Sequence, residues 1–181
     1  ITISGQLSIR WAEKTVNEYL RKLLGTKKDY VLAIDTDSLY VNMGDFVKKT
    51  IGDADNEKIC AFIDKVAEQK FEPLLDKAYE ELQKYTHAFE QRMFMKREII
   101  ASKMIITGKK RYIANVLNSE GVQYAKPKIK ITGIESVRSS TPQVCRRLIE
   151  KTLSIIINEG EEAVQKFMQE ARIAFHKLPP E

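Results

Sequence analysis

At 181 residues, 43% apolar and 30% charged, the chain has the size of one domain, or one domain with a small appendage, and enough apolar material for a packed core. Its net charge of +5 is uneven: residues 89–147 hold 13 Lys and Arg against 4 Asp and Glu, whereas residues 45–88 hold 7 against 10. No run nears the eighteen or so apolar residues of a membrane helix, and two distant cysteines, Cys60 and Cys145, lack metal-ligand spacing. The expectation is a soluble protein with no membrane partner, in a reduced, cytoplasmic compartment, with both thiols acting as small buried hydrophobes. A start at Ile1, with neither Met nor a leader pattern, reads as a piece of something longer.

Ile9, Ala12, Val16, Leu20 and Leu23 recur at three- and four-residue spacing and predict a helix that Gly25 ends. Tyr30–Ile34 and Leu39–Met43 are short apolar runs separated by Asp35-Thr36-Asp37-Ser38, the pattern of a hairpin with a polar tip. Residues 44–56 are polar, with one helical turn expected. Two helices should follow, one carrying Ile59, Phe62, Ile63 and Val66, the other Leu74, Leu75, Ala78 and Leu82 with Pro73 near its start. From Phe89 the period changes. Residues 92–106 and 110–117 read as strands, Asn118–Gly121 as a turn, and 126–132 as a strand alternating basic with apolar residues. Thr141-Pro142 reads as an N-cap followed by proline at the first helical position. The helix it opens, lined by Val144, Leu148 and Ile155, ends at Gly160. A last amphipathic helix carries Val164, Phe167, Met168, Ala171 and Phe175 and stops at Pro179-Pro180. The order of elements is α+β, not doubly wound.

Asp35 and Asp37 are the sharpest chemical signal. Residues two apart on an extended backbone project to one side, so two carboxylates at a hairpin tip can converge on a hard cation, for which Mg²⁺ is the natural choice. An ordinary polar turn would use the same residue types. The basic third of the chain reads either as a solvated face or as a phosphate-binding surface, because clustered cations attract a polyanion and release its counterions.

An apolar strand running into Asp35-Thr36-Asp37-Ser38 and then Leu39-Tyr40-Val41 closely resembles motif C of the family B DNA polymerases, although Ala33-Ile34 stand where that family usually has Tyr-Gly. Downstream, Thr107–Tyr112 resembles the family's basic palm motif. Residues 92–100 look like the palm strand before it, and 126–135 with Ser139–Pro142 look like the crossing into the thumb. The pattern is most similar to the replicative polymerases of T-even-type bacteriophages. The resemblance implies a palm-type antiparallel sheet with flanking helices over residues 1–135 and the helical base of a thumb over 136–181. It implies that Asp37 and Asp35 are catalytic and bind Mg²⁺ in a two-metal site completed elsewhere, with Glu98 as an auxiliary ligand or a structural ion-pair partner. It implies that Lys109, Lys110, Arg111, Tyr112, Arg138, Ser139 and Ser140 touch primer-template DNA. The implied partners are that DNA, deoxynucleoside triphosphates, the rest of a polymerase and a sliding clamp engaged through other regions. The family's remaining metal aspartate and its fingers helix have no match here, so the 181 residues alone should be inactive. Two other readings stand beside this one. A haloacid-dehalogenase-type phosphohydrolase also places Asp-x-Asp after an apolar strand, and a non-catalytic nucleic-acid-binding module would need only the basic third.

Overall fold

The computed structural model describes residues 2–177. The expected stop at Pro179-Pro180 lies outside the described residues. Contacts divide the chain into two compact units, one running to Ile100 and taking in Asn118–Gln123, the other made of Ala101–Leu117 and the chain from Tyr124 onward. Helices and two antiparallel sheets make the fold α+β, as the order of elements predicts.

The first unit begins with helix α1, Thr2–Leu24, whose stripe of Ile9, Ala12, Val16 and Leu20 is buried as its spacing requires. Leu23, expected on that stripe, is 41% exposed. The helix is already closing there: the N–H groups of Gly25 and Thr26 both return to the Arg21 carbonyl, and Gly25 takes φ +69°. Strands β1 (Val31–Asp35) and β2 (Ser38–Val41) form an antiparallel hairpin with Ala33 opposite Tyr40, Ile34 opposite Leu39 and Asp35 opposite Ser38. Residues 44–56 hold more helix than one turn, because α2 spans Gly44–Ile51. Its start is set by the Asn42 side chain, whose Oδ1 accepts from Gly44 N–H at 2.9 Å, and by Val47, which is buried.

Helix α3 (Asn56–Val66) opens on Asp55, whose carboxylate accepts from Lys58 N–H at 2.8 Å. A single π-helical turn, Ala67–Phe71, joins it to α4 (Glu72–Thr86), which buries Leu75, Ala78, Tyr79 and Leu82. Leu75, Tyr79 and Leu82 of that face make one core with Ala12, Val16 and Leu20 of α1 and with Tyr30 and Val31, and Trp11 and Tyr19 pack at its edge. Residues 92–98, expected to be strand, are not. The neighbouring strand ends at Ser119, and just past it Glu120 N–H bonds to Glu98 O at 2.7 Å. Before that point the Met93 backbone is met locally: Gln91 both accepts from Met93 N–H and donates to its carbonyl, each at 2.6 Å.

The second unit holds most of a three-stranded sheet, β3 (Ile99–Gly108), β4 (Arg111–Ser119) and β5 (Val122–Thr132), in that order. Central β4 buries Ile113, Ala114, Val116 and Leu117. Pro127, which lacks an N–H, falls on the edge strand β5 as it should. After a 3₁₀ turn at Glu135–Val137 come α5 (Gln143–Asn158) and α6 (Glu161–His176). Ile113, Ile134 and Ile157 centre the core, with Ile105, Ile129, Ile131, Ile149 and Leu153 around them. Helix α5 starts one residue later than the Thr141-Pro142 pair suggests. Pro142 itself is the N-cap, at ψ 143°, and no side chain caps the helix. Cys60 is buried, and burial pushes its thiol pKa up; Cys145 is only half-buried, and both are free.

Candidate functional site

The acidic turn is held by its surroundings before any ligand is considered. Asn17, 6% exposed on α1, accepts with one oxygen from Tyr30 N–H (2.7 Å) and Val31 N–H (3.0 Å), fixing where β1 leaves the helix. The Tyr30 hydroxyl meets Thr26 Oγ1 at 3.0 Å, and Asn42 N–H donates to Tyr30 O at 2.7 Å. Outside, Lys28 and Asp45 pair across the two ends of the hairpin at 3.0 Å. Their hydrogen bond holds the Asp45 carboxyl below its ordinary pKa and the Lys28 ammonium above its own. Arg21 pairs with Asp29 on the approach to β1.

At the tip the backbone departs from the extended geometry assumed above. Thr36 adopts φ +52°, and Asp37 N–H folds back to Asp35 O at 2.6 Å. The two carboxylates therefore share one tight turn instead of one face of a strand. Each has a hydroxyl from the residue after it: Thr36 Oγ1 donates to Asp35 Oδ1 (3.1 Å) and Ser38 Oγ to Asp37 Oδ1 (3.4 Å). Asp35 is half-buried and Asp37 exposed. Oxygen donors on an accessible turn suit a hard divalent cation in kind. Two carboxylates fall short of a full shell, however, and among the described residues no group of three or more His, Cys, Asp or Glu side chains is placed to hold a metal. Glu98 is exposed at the foot of β3, where its carbonyl accepts from Glu120 N–H and from the Arg97 guanidinium. Arg97, which the sequence did not single out, also clamps Asp64 and Asn118.

The basic residues gather in the second unit. Lys109 and Lys110 form the β3–β4 turn, with Lys110 at φ +60°, and Arg111 and Tyr112 begin β4. Lys109, Lys110 and Arg111 are exposed and Tyr112 is half-buried. Thr107 Oγ1 donates to Arg111 O across the turn at 3.3 Å, and Arg111 reaches Glu135 at 3.7 Å. Gly133 packs against this turn so closely that a Cβ there would lie 2.1 Å from Lys110 O. Sequence reading passed over Gly133, as it did Asn17. The available signals were a glycine directly after a strand and an asparagine beside an apolar stripe. Arg138, Ser139 and Ser140 are exposed in the turn between the 3₁₀ segment and α5.

No protein-family profile matches the chain. Its relatives include the DNA-directed DNA polymerase of Escherichia phage RB69, 39% identical over 173 residues covering 89% of this chain. The DNA-directed DNA polymerase of Enterobacteria phage T4 is 35% identical over 189 residues covering 98% of it. The chain spans about a fifth of the length of these relatives, 19% and 21% respectively.

Proposed function

Homologous over nearly its whole length to one segment of the T-even-type family B DNA polymerases, this chain, we propose, is the part of such an enzyme that brings two palm carboxylates and a primer-gripping surface to template-directed nucleotidyl transfer. We assign residues 1–135 to the palm and 136–181 to the base of the thumb, a boundary that falls within the 3₁₀ turn Glu135–Val137 after β5. The full enzyme would work in the cytoplasm of an infected host, on primer-template DNA and deoxynucleoside triphosphates.

Asp37 is assigned as the principal metal ligand, Asp35 as its neighbour and Glu98 as an auxiliary carboxylate. Bound Mg²⁺ ions would lower the pKa of a primer 3′-hydroxyl and neutralise charge on the triphosphate during in-line attack. What this chain adds is position. The Thr36 and Ser38 hydroxyls each occupy one carboxylate oxygen, and the Asn17 anchor keeps the hairpin from sliding on α1. Lys109, Lys110, Arg111 and Tyr112, with Arg138, Ser139 and Ser140, would hold the primer strand through phosphate and minor-groove contacts that are the same for every correct base pair. The observation that carries this reading is Asp-Thr-Asp-Ser folded into one tight, solvent-accessible hairpin turn within a segment homologous to polymerases. A strand turning straight back into a strand also differs from the strand-then-helix unit that a haloacid-dehalogenase-type site needs.

Primer extension tests it. In a full-length polymerase carrying this segment, Asp37→Asn should cut kcat by a thousandfold or more, since a metal ligand supports several kcal/mol of transition-state stabilisation. The 181 residues alone should incorporate nothing. Near-normal extension by the variant, or incorporation by the isolated chain, would refute the assignment.

A further inference from the structure

Strand β5 carries a row of cations that the proposed grip on the primer does not use. Lys126, Lys128 and Lys130 are all exposed and two residues apart, so they share one face of the strand, about 6.6 Å from one to the next. The opposite face is fixed by Ile129 and Ile131, which pack on the core around Ile113. A one-residue slip would bury the lysines, so their direction is set by packing. Tyr124 continues the row, and the Lys128 ammonium lies over its ring, 4.2 Å from the centroid. That contact holds Lys128 along the strand and lowers the entropy lost when it meets an anion. At its far end the row reaches the basic turn, because Gly133, three residues after Lys130, packs against Lys110. One edge strand thus extends the cationic turn into a line.

We propose that Lys126, Lys128 and Lys130 bind successive phosphates of one nucleic-acid strand, tracking its backbone along β5 away from the Lys109–Lys110 turn. A regular line of cations beside an aromatic ring suits a polyanion of regular charge spacing and has no base-reading geometry, so the contact is independent of sequence. The claim rests on β5 and not on the polymerase reading, since a non-catalytic binding module would use the row equally.

Fluorescence anisotropy of a labelled oligonucleotide, titrated with the 181-residue chain at several salt concentrations, tests it. With single-stranded DNA, the triple variant K126Q/K128Q/K130Q should lower the slope of log K against log salt by about 2, three phosphates at about 0.7 each. A parallel arm with duplex DNA shows whether the strand is read alone or paired, where the expected fall is about 2.7. K109Q/K110Q should lower the slope separately and additively, and circular dichroism should show both variants folded. Unchanged slope and affinity in the β5 variant would overturn the proposal, and so would failure of the wild-type chain to bind either DNA. Primer extension in the full enzyme reports on the Asp37 assignment alone, so the two failures are distinguishable.

Discussion

At the scale of single residues, the buried amide of Asn17 ties the acidic hairpin to α1. Asn17 sits beside an apolar stripe, where an amide is costly unless bonded, and one oxygen meets two backbone N–H groups of a segment that is itself buried. Asn17→Leu should leave both donors without the Asn17 acceptor and cost about 2–6 kcal/mol in urea unfolding, at about 1–3 kcal/mol per buried orphan. Asn17→Asp keeps an acceptor and should lose less. The carboxylates show the opposite case. Asp35 and Asp37 were legible in sequence as a pair, yet the same-side argument that paired them fails, because Thr36 at φ +52° replaces extended backbone with a reversal. A β-branched residue is poorly suited to that region, and Lys110 stands in it too, so both turns given a role here hold a non-glycine residue in the left-handed region. Glu120 and His87 do the same at turns given no such role.

Elements were legible where one face meets one core. The stripe of α1, the apolar face of α4 and the alternation of Ile129 and Ile131 on β5 each announce their burial through period alone. Boundaries were less so. The strand expected from Arg92 begins only at Ile99, because pairing ends where β4 ends, and α2 is longer than its polar sequence suggests because Val47 finds a buried place. The β5 exit is the sharpest example of one element shaping another. Gly133 at φ +65° lets the chain pass against the Lys109–Lys110 turn. Gly133→Ala should combine backbone strain with a clash against a carbonyl, costing roughly 2–4 kcal/mol in urea unfolding. It should also weaken DNA affinity measured by anisotropy at fixed salt. Unchanged stability would mean the turn yields freely.

For the whole molecule, the uneven charge seen in composition becomes an uneven surface, with the Lys109–Arg111 turn, Arg138 and the β5 lysines all exposed in the second unit. In the first unit, two carboxylates contribute to the response to acid. Asp45, bonded to Lys28, and Asp55, capping α3 through Lys58 N–H, both titrate below their ordinary value of 3.8. Depressed carboxylates contribute stability that is complete above the unfolded pKa and is lost as pH falls through the folded one. Stability should therefore be flat from neutrality to about pH 4.5 and fall below pH 3.8, and Asp55→Asn, which keeps a capping acceptor, should make that fall shallower in pH-dependent melts. The sequence by itself determined the α+β class, the two chemical clusters and the kinship with a polymerase segment, because hydrophobic period, turn composition and short motifs are local properties of the chain. Only the tertiary structure decided that one amide anchors the acidic hairpin and that a glycine backs the basic turn. Each of those depends on contacts between residues distant in sequence, which no local pattern encodes.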